Sequence, residues 1–207
     1  MSKIDFKRTM KPLFAPSARA FSQVNVPALS FLMVDGEGAP DTDGGSEYAQ
    51  ALMALYPMAF KLKFRSKTIH GRDYVVPPLQ ALWWADDMSA FLSGDKDLWK
   101  WTVMIMQPDW IGEDDVEATR DIVAASGDLP ALTKLRLATY HEGDAVQIMH
   151  IGPYSEEGPT IKTLHQDYLP AHGLVENGHH HEIYLSDPRK TAPEKLKTIL
   201  RQPVRSA

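Results

Sequence analysis

One carboxylate in this chain stands where a carboxylate is hard to place. Residues 178–186 read as a strand, and Glu182 lies in its middle among His181, Ile183, Tyr184 and Leu185. Burying an ionised acid is costly unless a cation or a hydrogen-bond donor pairs with it. Strand alternation puts Glu182 on one face with His180, Tyr184 and Ser186. That arrangement suits a pocket in which the carboxylate meets a cation or takes a proton, with the tyrosine sharing the wall. An edge-strand acid in water is the plain alternative. The aromatic residues favour the pocket. Trp83 and Trp84 are adjacent, so they face opposite sides of their strand, and Trp101 lies on a neighbouring strand. Indole faces attract cations and flat apolar ligands. Core packing accounts for one of two adjacent tryptophans, so the other is expected to line a ligand cavity. Which one does is open, because a one-residue shift of register swaps them. Tyr140, Tyr154 and Tyr168 add hydroxyls, and Tyr154 or Tyr184 is a candidate to orient water or donate a proton beside Glu182. Each tyrosine also suits half-buried packing.

Other chemistries fit poorly. The run His179-His180-His181 places only His179 and His181 on one face, and no third ligand has recognisable spacing, so no metal site is expected. No Gly-x-Ser-x-Gly elbow exists for serine catalysis. Gly36-Glu37-Gly38 is a lone turn and lacks the glycine pattern of a phosphate or dinucleotide loop, so no cofactor is expected. The chain has 207 residues, no cysteine and a net charge of −5. Disulfides and thiolate chemistry are excluded, and there is no global positive field to recruit nucleic acid. The N-terminus is mixed-charge and unlike a secretory signal. No apolar run approaches the roughly 18 residues of a membrane span. The expectation is a soluble cytoplasmic protein with no membrane and no nucleic acid as partner.

The elements that must position these residues follow from periodicity. Residues 1–22 are basic, carry Pro12 and Pro16, and read as an arm draped over a domain spanning 23–207. Residues 27–36 read as a strand. Ser46 is a plausible N-cap for a helix over 47–63, with apolar residues at helical spacing and Pro57 expected to bend or break it. Strands are expected over 74–84 and 99–107, the latter apolar on both faces and therefore central. A short acidic helix follows over 113–126. Residues 134–141 and 145–151 read as a hairpin across Glu142-Gly143-Asp144. A second long helix is expected over 156–172, then strands over 178–186 and 195–204. Each half thus repeats strand, helix, strand, strand, as pseudo-repeats over about 27–110 and 134–204. The expected fold is α+β. Two tandem strand-helix-strand-strand units form an antiparallel sheet, with two long helices on one face and a ligand cleft on the other.

The run His150-Ile151-Gly152-Pro153-Tyr154, the helix ending Tyr168-Leu169-Pro170, the stretch His181 to Arg189 and the closing Lys195 to Pro203 together resemble the gyrase-inhibitor-like (GyrI-like) small-molecule-binding family. Lys61-Leu62-Lys63-Phe64 and Pro78 to Trp84 resemble its stand-alone members. The resemblance covers about residues 20–204. It implies a fold shared with effector-binding domains of multidrug-responsive transcription regulators, in which a buried glutamate on a late strand meets cationic drugs among aromatic walls. Glu182 matches that position, and Tyr184 follows it on the same face. Some stand-alone relatives open strained cyclopropane rings of DNA-alkylating natural products. Residues 1–26 are too short for a helix-turn-helix unit, which weakens a regulator reading.

Three functions follow as expectations. The first is a stand-alone protein binding a flat hydrophobic or cationic small molecule, with Glu182 as counter-charge and Tyr184, Trp83, Trp84, Trp101, Tyr140 and Tyr168 as lining residues. The second is a cyclopropane-opening hydrolase in the same pocket, with Glu182 activating water and Tyr154 assisting. The third is a protein-interaction module such as a topoisomerase modulator, which needs an exposed apolar patch.

Overall fold

The computed structural model of the protein describes residues 3–87 and 95–207. Its strands are β1 (Ser22–Glu37), β2 (Leu79–Trp84), β3 (Lys100–Gln107), β4 (Arg136–Ile151), β5 (Leu174–Glu176), β6 (His180–Tyr184) and β7 (Lys197–Ser206). They form one antiparallel sheet in the order β4-β1-β3-β2-β6-β7-β5. A further antiparallel pairing, β4 with β7 from Ala145↔Pro203 to Ile151↔Lys197, closes six strands into a barrel. The helices are α1 (Phe6–Thr9), α2 (Lys11–Phe14), α3 (Glu47–Arg65), α4 (Glu113–Ala124), α5 (Gly158–Thr163) and α6 (Leu169–Ala171). A π-type turn, Leu164–Tyr168, joins α5 to α6. Among the described residues no helix is long and apolar enough to cross a membrane.

Closure sorts side chains into an inside and an outside. On β3, Trp101, Val103 and Ile105 pack outward with Tyr48, Leu55, Met58 and Leu62 of α3. Met104 and Met106 point into the barrel with Phe31, Met33, Leu82, Ile183 and Ile199. Both faces of β3 are therefore buried, and it lies between β1 and β2, as its two-sided apolar pattern predicts. The α5–α6 span packs outside the barrel through Leu164 and Leu169 against Val146 and Val204. Closure also overturns the expectation of a cleft on the face away from the helices. That face is the barrel interior, and it is filled by this inner cluster.

The N-terminal arm contributes to that filling. Leu13 and Phe14 are buried within the inner cluster. The carbonyls of Pro12 and Leu13 accept hydrogen bonds from Gln147 Nε2 (2.8 Å) and Arg201 Nη2 (2.6 Å). Arg201 also donates to Glu142 Oε2 at 3.0 Å, and His181 Nδ1 lies 2.9 Å from Glu142 Oε1. Burial alone would raise the Glu142 carboxyl, but the charges and hydrogen bonds of His181 and Arg201 outweigh it and bring the carboxyl down to about 2. This network joins β4, β6, β7 and the arm inside the barrel.

The helix α3 starts where its cap predicts: Ser46 Oγ accepts the Ala49 N–H at 3.0 Å. Pro57 does not break it. The residue four positions earlier, Met53, is half-exposed, so water is available to the carbonyl that proline leaves without a donor. The expected strand over 74–84 is confined to Leu79–Trp84, while Tyr74 makes an isolated bridge to Ile4. The expected hairpin across Glu142-Gly143-Asp144 is absent. Strand β4 runs straight through, because β1 is equally long and pairs beside it, with Val26 opposite Gly143 and Asn25 opposite Asp144. Gly143 has φ +73, so a glycine that reads as a turn serves instead as an irregularity within a ladder.

Candidate functional site

Outward-facing side chains of β2 and β6 meet α3 and the segment after β4. On β6, alternation turns His181 and Ile183 into the barrel and His180, Glu182 and Tyr184 out of it. The Tyr184 hydroxyl donates to Glu182 Oε2 at 2.7 Å, and Trp83 Nε1–H donates to the Tyr184 oxygen at 3.1 Å. The chain of donors fixes one oxygen of Glu182. The other, Oε1, faces His180 Nε2 at 3.6 Å.

Aromatic rings surround this acid. Tyr48, at the first turn of α3, stacks on Trp83 with centroids 5.9 Å apart and meets Trp101 edge-on at 5.2 Å. Trp99 meets the other side of Trp83 at 5.7 Å. Tyr154 stands edge-on to Tyr184 at 5.7 Å. Trp101 is fully buried, so it backs the Tyr48 wall and does not itself face solvent. Gly36 allows this: a Cβ at that position would overlap the Trp101 ring. Tyr56 of α3 and Tyr154 are the exposed rings of the group, and both feel the charge of Asp187 on the loop after β6. The side chain of Glu182 is only 15% exposed, screened by these rings. A groove of about 480 Å³ bounded by Lys3, Ile4, Asp5, Arg8, Thr9 and Val75 opens at the N-terminal arm, away from this site.

A second acid completes the site. Glu157, at the start of α5, is 4% exposed, and its Oε1 has no hydrogen-bond partner among the described residues. Burial, then the charge of Glu182, push its carboxyl up to about 9, with the Thr198 hydroxyl opposing weakly. Glu157 is therefore protonated at neutral pH. Burial and the same carboxylate also raise Tyr184 well above its ordinary value and push Tyr154 up to about 12, with Glu157 adding to the latter. Both phenols remain donors. The site thus holds a buried acid whose proton affinity is raised, together with Glu182, whose Oε2 is oriented by a tyrosine. Paired acids of this kind are equipped to give one proton and take another.

Among the residues singled out in the sequence, the structure gathers Glu182, Tyr184, Trp83 and Tyr154, with Trp101 behind Tyr48. It separates Trp84, Tyr140 and Tyr168 from them. Alternation turns Trp84 away from Trp83, and it stacks on His179 at 4.2 Å. Tyr140 lies against the inner cluster, 6.4 Å from His181. Tyr168 stacks on His172 at 3.9 Å and packs on Phe21. Sequence reasoning passed over Glu157, Tyr48, Trp99 and His180. Tyr48 fits the apolar stripe of α3, and Glu157 looks like any acid preceding a helix; only the fold brings them to Glu182.

The comparisons agree with this architecture. A family model described as the GyrI-like small molecule binding domain matches residues 19–205. No curated protein sequence matches the chain. A conserved protein from Listeria innocua of known crystal structure is 42% identical, with a TM-score of 0.87, covering 98% of this chain and 100% of its own. A hydrolase from Listeria innocua is 40% identical, with a TM-score of 0.84 and the same coverage of 98% and 100%. The C-terminal domain of EcmrR shares the fold at 11% identity, with a TM-score of 0.56, covering 91% of this chain and 98% of that one. With nearly its whole length matched, the chain belongs to the GyrI-like small-molecule-binding domain family.

Proposed function

We propose that this protein is a small-molecule hydrolase that takes a flat hydrophobic compound between the Tyr48–Trp83 wall and Tyr154 and adds water to a strained, electrophilic ring. What carries this reading is the acid pair: Glu157 is buried with Oε1 unpaired among the described residues, burial and the charge of Glu182 push its carboxyl up to about 9, and Oε2 of Glu182 is held by Tyr184. A binding site for cations needs only the carboxylate; a second, protonated acid adds a function that binding does not need. In the proposed reaction, Glu182 takes a proton from water as its oxygen bonds to the ring carbon. The ring bond breaks, and Glu157 protonates the atom that receives the electron pair. Tyr184 orients the base, and Tyr154 closes the site. The similarity to a Listeria hydrolase at 40% identity supports turnover of some kind, and the family supports a small-molecule substrate. Cyclopropane-bearing alkylators of the kind opened by stand-alone relatives are the class to try first.

Binding of hydrophobic cations is the second reading, favoured by the stacked Tyr48 and Trp83 rings near a carboxylate. One experiment separates the two. The protein is incubated with a spirocyclopropyl-cyclohexadienone, and a product one water heavier is sought by mass spectrometry. Quenching of tryptophan fluorescence follows binding in parallel. Turnover in the wild type, reduced at least 100-fold by Glu182→Gln with binding of the neutral probe retained, supports the hydrolase. No product from any strained ring, together with loss of lipophilic-cation binding in the variant, supports the binder and refutes the hydrolase.

A further inference from the structure

His180 is a buried imidazole that neither the core nor the proposed chemistry yet uses. Its side chain is 13% exposed, and neither Nδ1 nor Nε2 has a hydrogen-bond partner among the described residues. Buried polar groups are nearly always paired, so an unpaired one calls for a reason. Its neighbour His181 shows the ordinary solution, with both ring nitrogens held at 2.9 Å by Glu142 and Gln80 inside the barrel. His180 faces the other way, toward Glu182 Oε1 at 3.6 Å. The charge of His180 also reaches Glu176 of β5, an exposed residue that pairs with His165 Nδ1 at 2.6 Å.

Resting on the hydrolase reading above, we propose that His180 is the proton relay that resets Glu182 after each turnover, taking the proton from Glu182 Oε1 at its Nε2. The need follows from the proton balance. Water supplies its hydroxyl to the ring carbon and its remaining proton to Glu182. Glu157 supplies a proton to the atom that leaves the carbon. Each cycle therefore ends with Glu182 protonated and Glu157 ionised, the reverse of the starting state. Glu182 must lose its proton to solvent and Glu157 must regain one from solvent before the next cycle, so that no proton is consumed overall. Tyr184 cannot take the proton from Glu182, because its hydroxyl is already donating to that carboxylate. Oε1 is the free oxygen, and the nearest acceptor to it is His180 Nε2. His180 lies beside Glu182 on its own strand and opposite Trp83 on β2, and its charge reaches Glu176 on β5.

The test is His180→Gln in the full chain, with the spirocyclopropyl-cyclohexadienone as probe and rapid mixing to separate the first turnover from later ones. The expected result is a first turnover within twofold of the wild type and a steady-state rate at least tenfold lower, restored by millimolar imidazole in the buffer. Equal losses in the first and later turnovers, or no loss in either, would overturn the relay while leaving the hydrolase standing. No turnover by the wild type would overturn the hydrolase and the relay with it. A second readout is independent of turnover. The imidazole of His180 is followed by nitrogen-detected nuclear magnetic resonance in the wild type and in Glu182→Gln. A fall of at least half a pH unit in the His180 midpoint is expected in the variant; an unchanged midpoint would refute the coupling on which the relay depends.

Discussion

Replacing Glu157 by glutamine should make the protein more stable and less active. In the unfolded chain the Glu157 carboxyl titrates at its ordinary value of 4.5; in the folded protein burial and Glu182 push it up to about 9. At pH 7 the unfolded state has therefore released a proton that the folded state must keep. The gap from 4.5 to 7, at about 1.4 kcal/mol per unit, amounts to about 3 kcal/mol of stability forgone by the wild type. The sign is that of a raised carboxyl. The folded state binds the extra proton, so this group's contribution is fully present below pH 4.5 and is lost progressively as pH rises toward 9. Glutamine has a similar shape and does not titrate. The variant should match the wild type near pH 4.5, exceed it by about 3 kcal/mol at pH 7, and gain about 1.4 kcal/mol for each further unit until about 9. Urea unfolding at half-unit intervals from pH 5 to 9.5 measures this directly, with the m-value checking that the denatured state is unchanged. A stability difference that does not vary with pH would refute the placement of a protonated Glu157. So would a variant less stable than the wild type at pH 8. Turnover of the spirocyclopropyl probe should fall in the same variant, because an amide does not supply the proton.

Two further substitutions test the scaffold. Gly36→Ala places a Cβ against the fully buried Trp101, which is hemmed in by Tyr48, and should cost about 1–3 kcal/mol in urea unfolding; a midpoint equal to that of the wild type would show that the ring has room to move. Arg201→Met strands Glu142 without its guanidinium inside the barrel and should cost about 3–5 kcal/mol. It also removes the bond to the Leu13 carbonyl, so trypsin should cut faster at Lys7 or Arg8 under native conditions, and an unchanged cleavage rate would mean that the arm is held by Leu13 and Phe14 alone.

The parts of this molecule that depend on neighbours in sequence were legible in it. Ser46 marks the start of α3 because a hydroxyl cap and an apolar stripe are local signals. The shared face of Glu182 and Tyr184 follows from the two-residue period of a strand, and their 2.7 Å hydrogen bond is its consequence. What was hidden depends on distant pairing. Closure of the barrel rests on β4 meeting β7, some fifty residues later, and no local pattern encodes it. The same closure turned the expected open cleft into a packed interior. Glu142-Gly143-Asp144 misled because a glycine between acids reads as a turn, whereas the long partner β1 keeps the strand going. Glu157 was invisible for a related reason: the burial that chiefly raises its proton affinity comes from the fold, and the carboxylate that adds to it lies on a strand 25 residues away.

Strand β6 shows how one sequence run can serve stability on one face and chemistry on the other. Inward, His181 joins Glu142 and Arg201, and both oxygens of the acid, both ring nitrogens and all three guanidinium nitrogens are hydrogen-bonded. A fully satisfied buried network of this kind holds strands together and has no capacity left to engage a ligand. Outward, His180 and Glu157 have buried polar atoms with no hydrogen-bond partner among the described residues, close to Glu182. Each such atom lowers stability by about 1–3 kcal/mol. Their concentration at one acid is hard to reconcile with a purely structural patch, because packing alone would favour apolar replacements there. Donors and acceptors left open beside aromatic walls are the groups that a substrate and a water molecule would satisfy. The faces differ by one residue in register, so moving Glu182 by a single position would carry it from the aromatic outer face into the packed barrel interior.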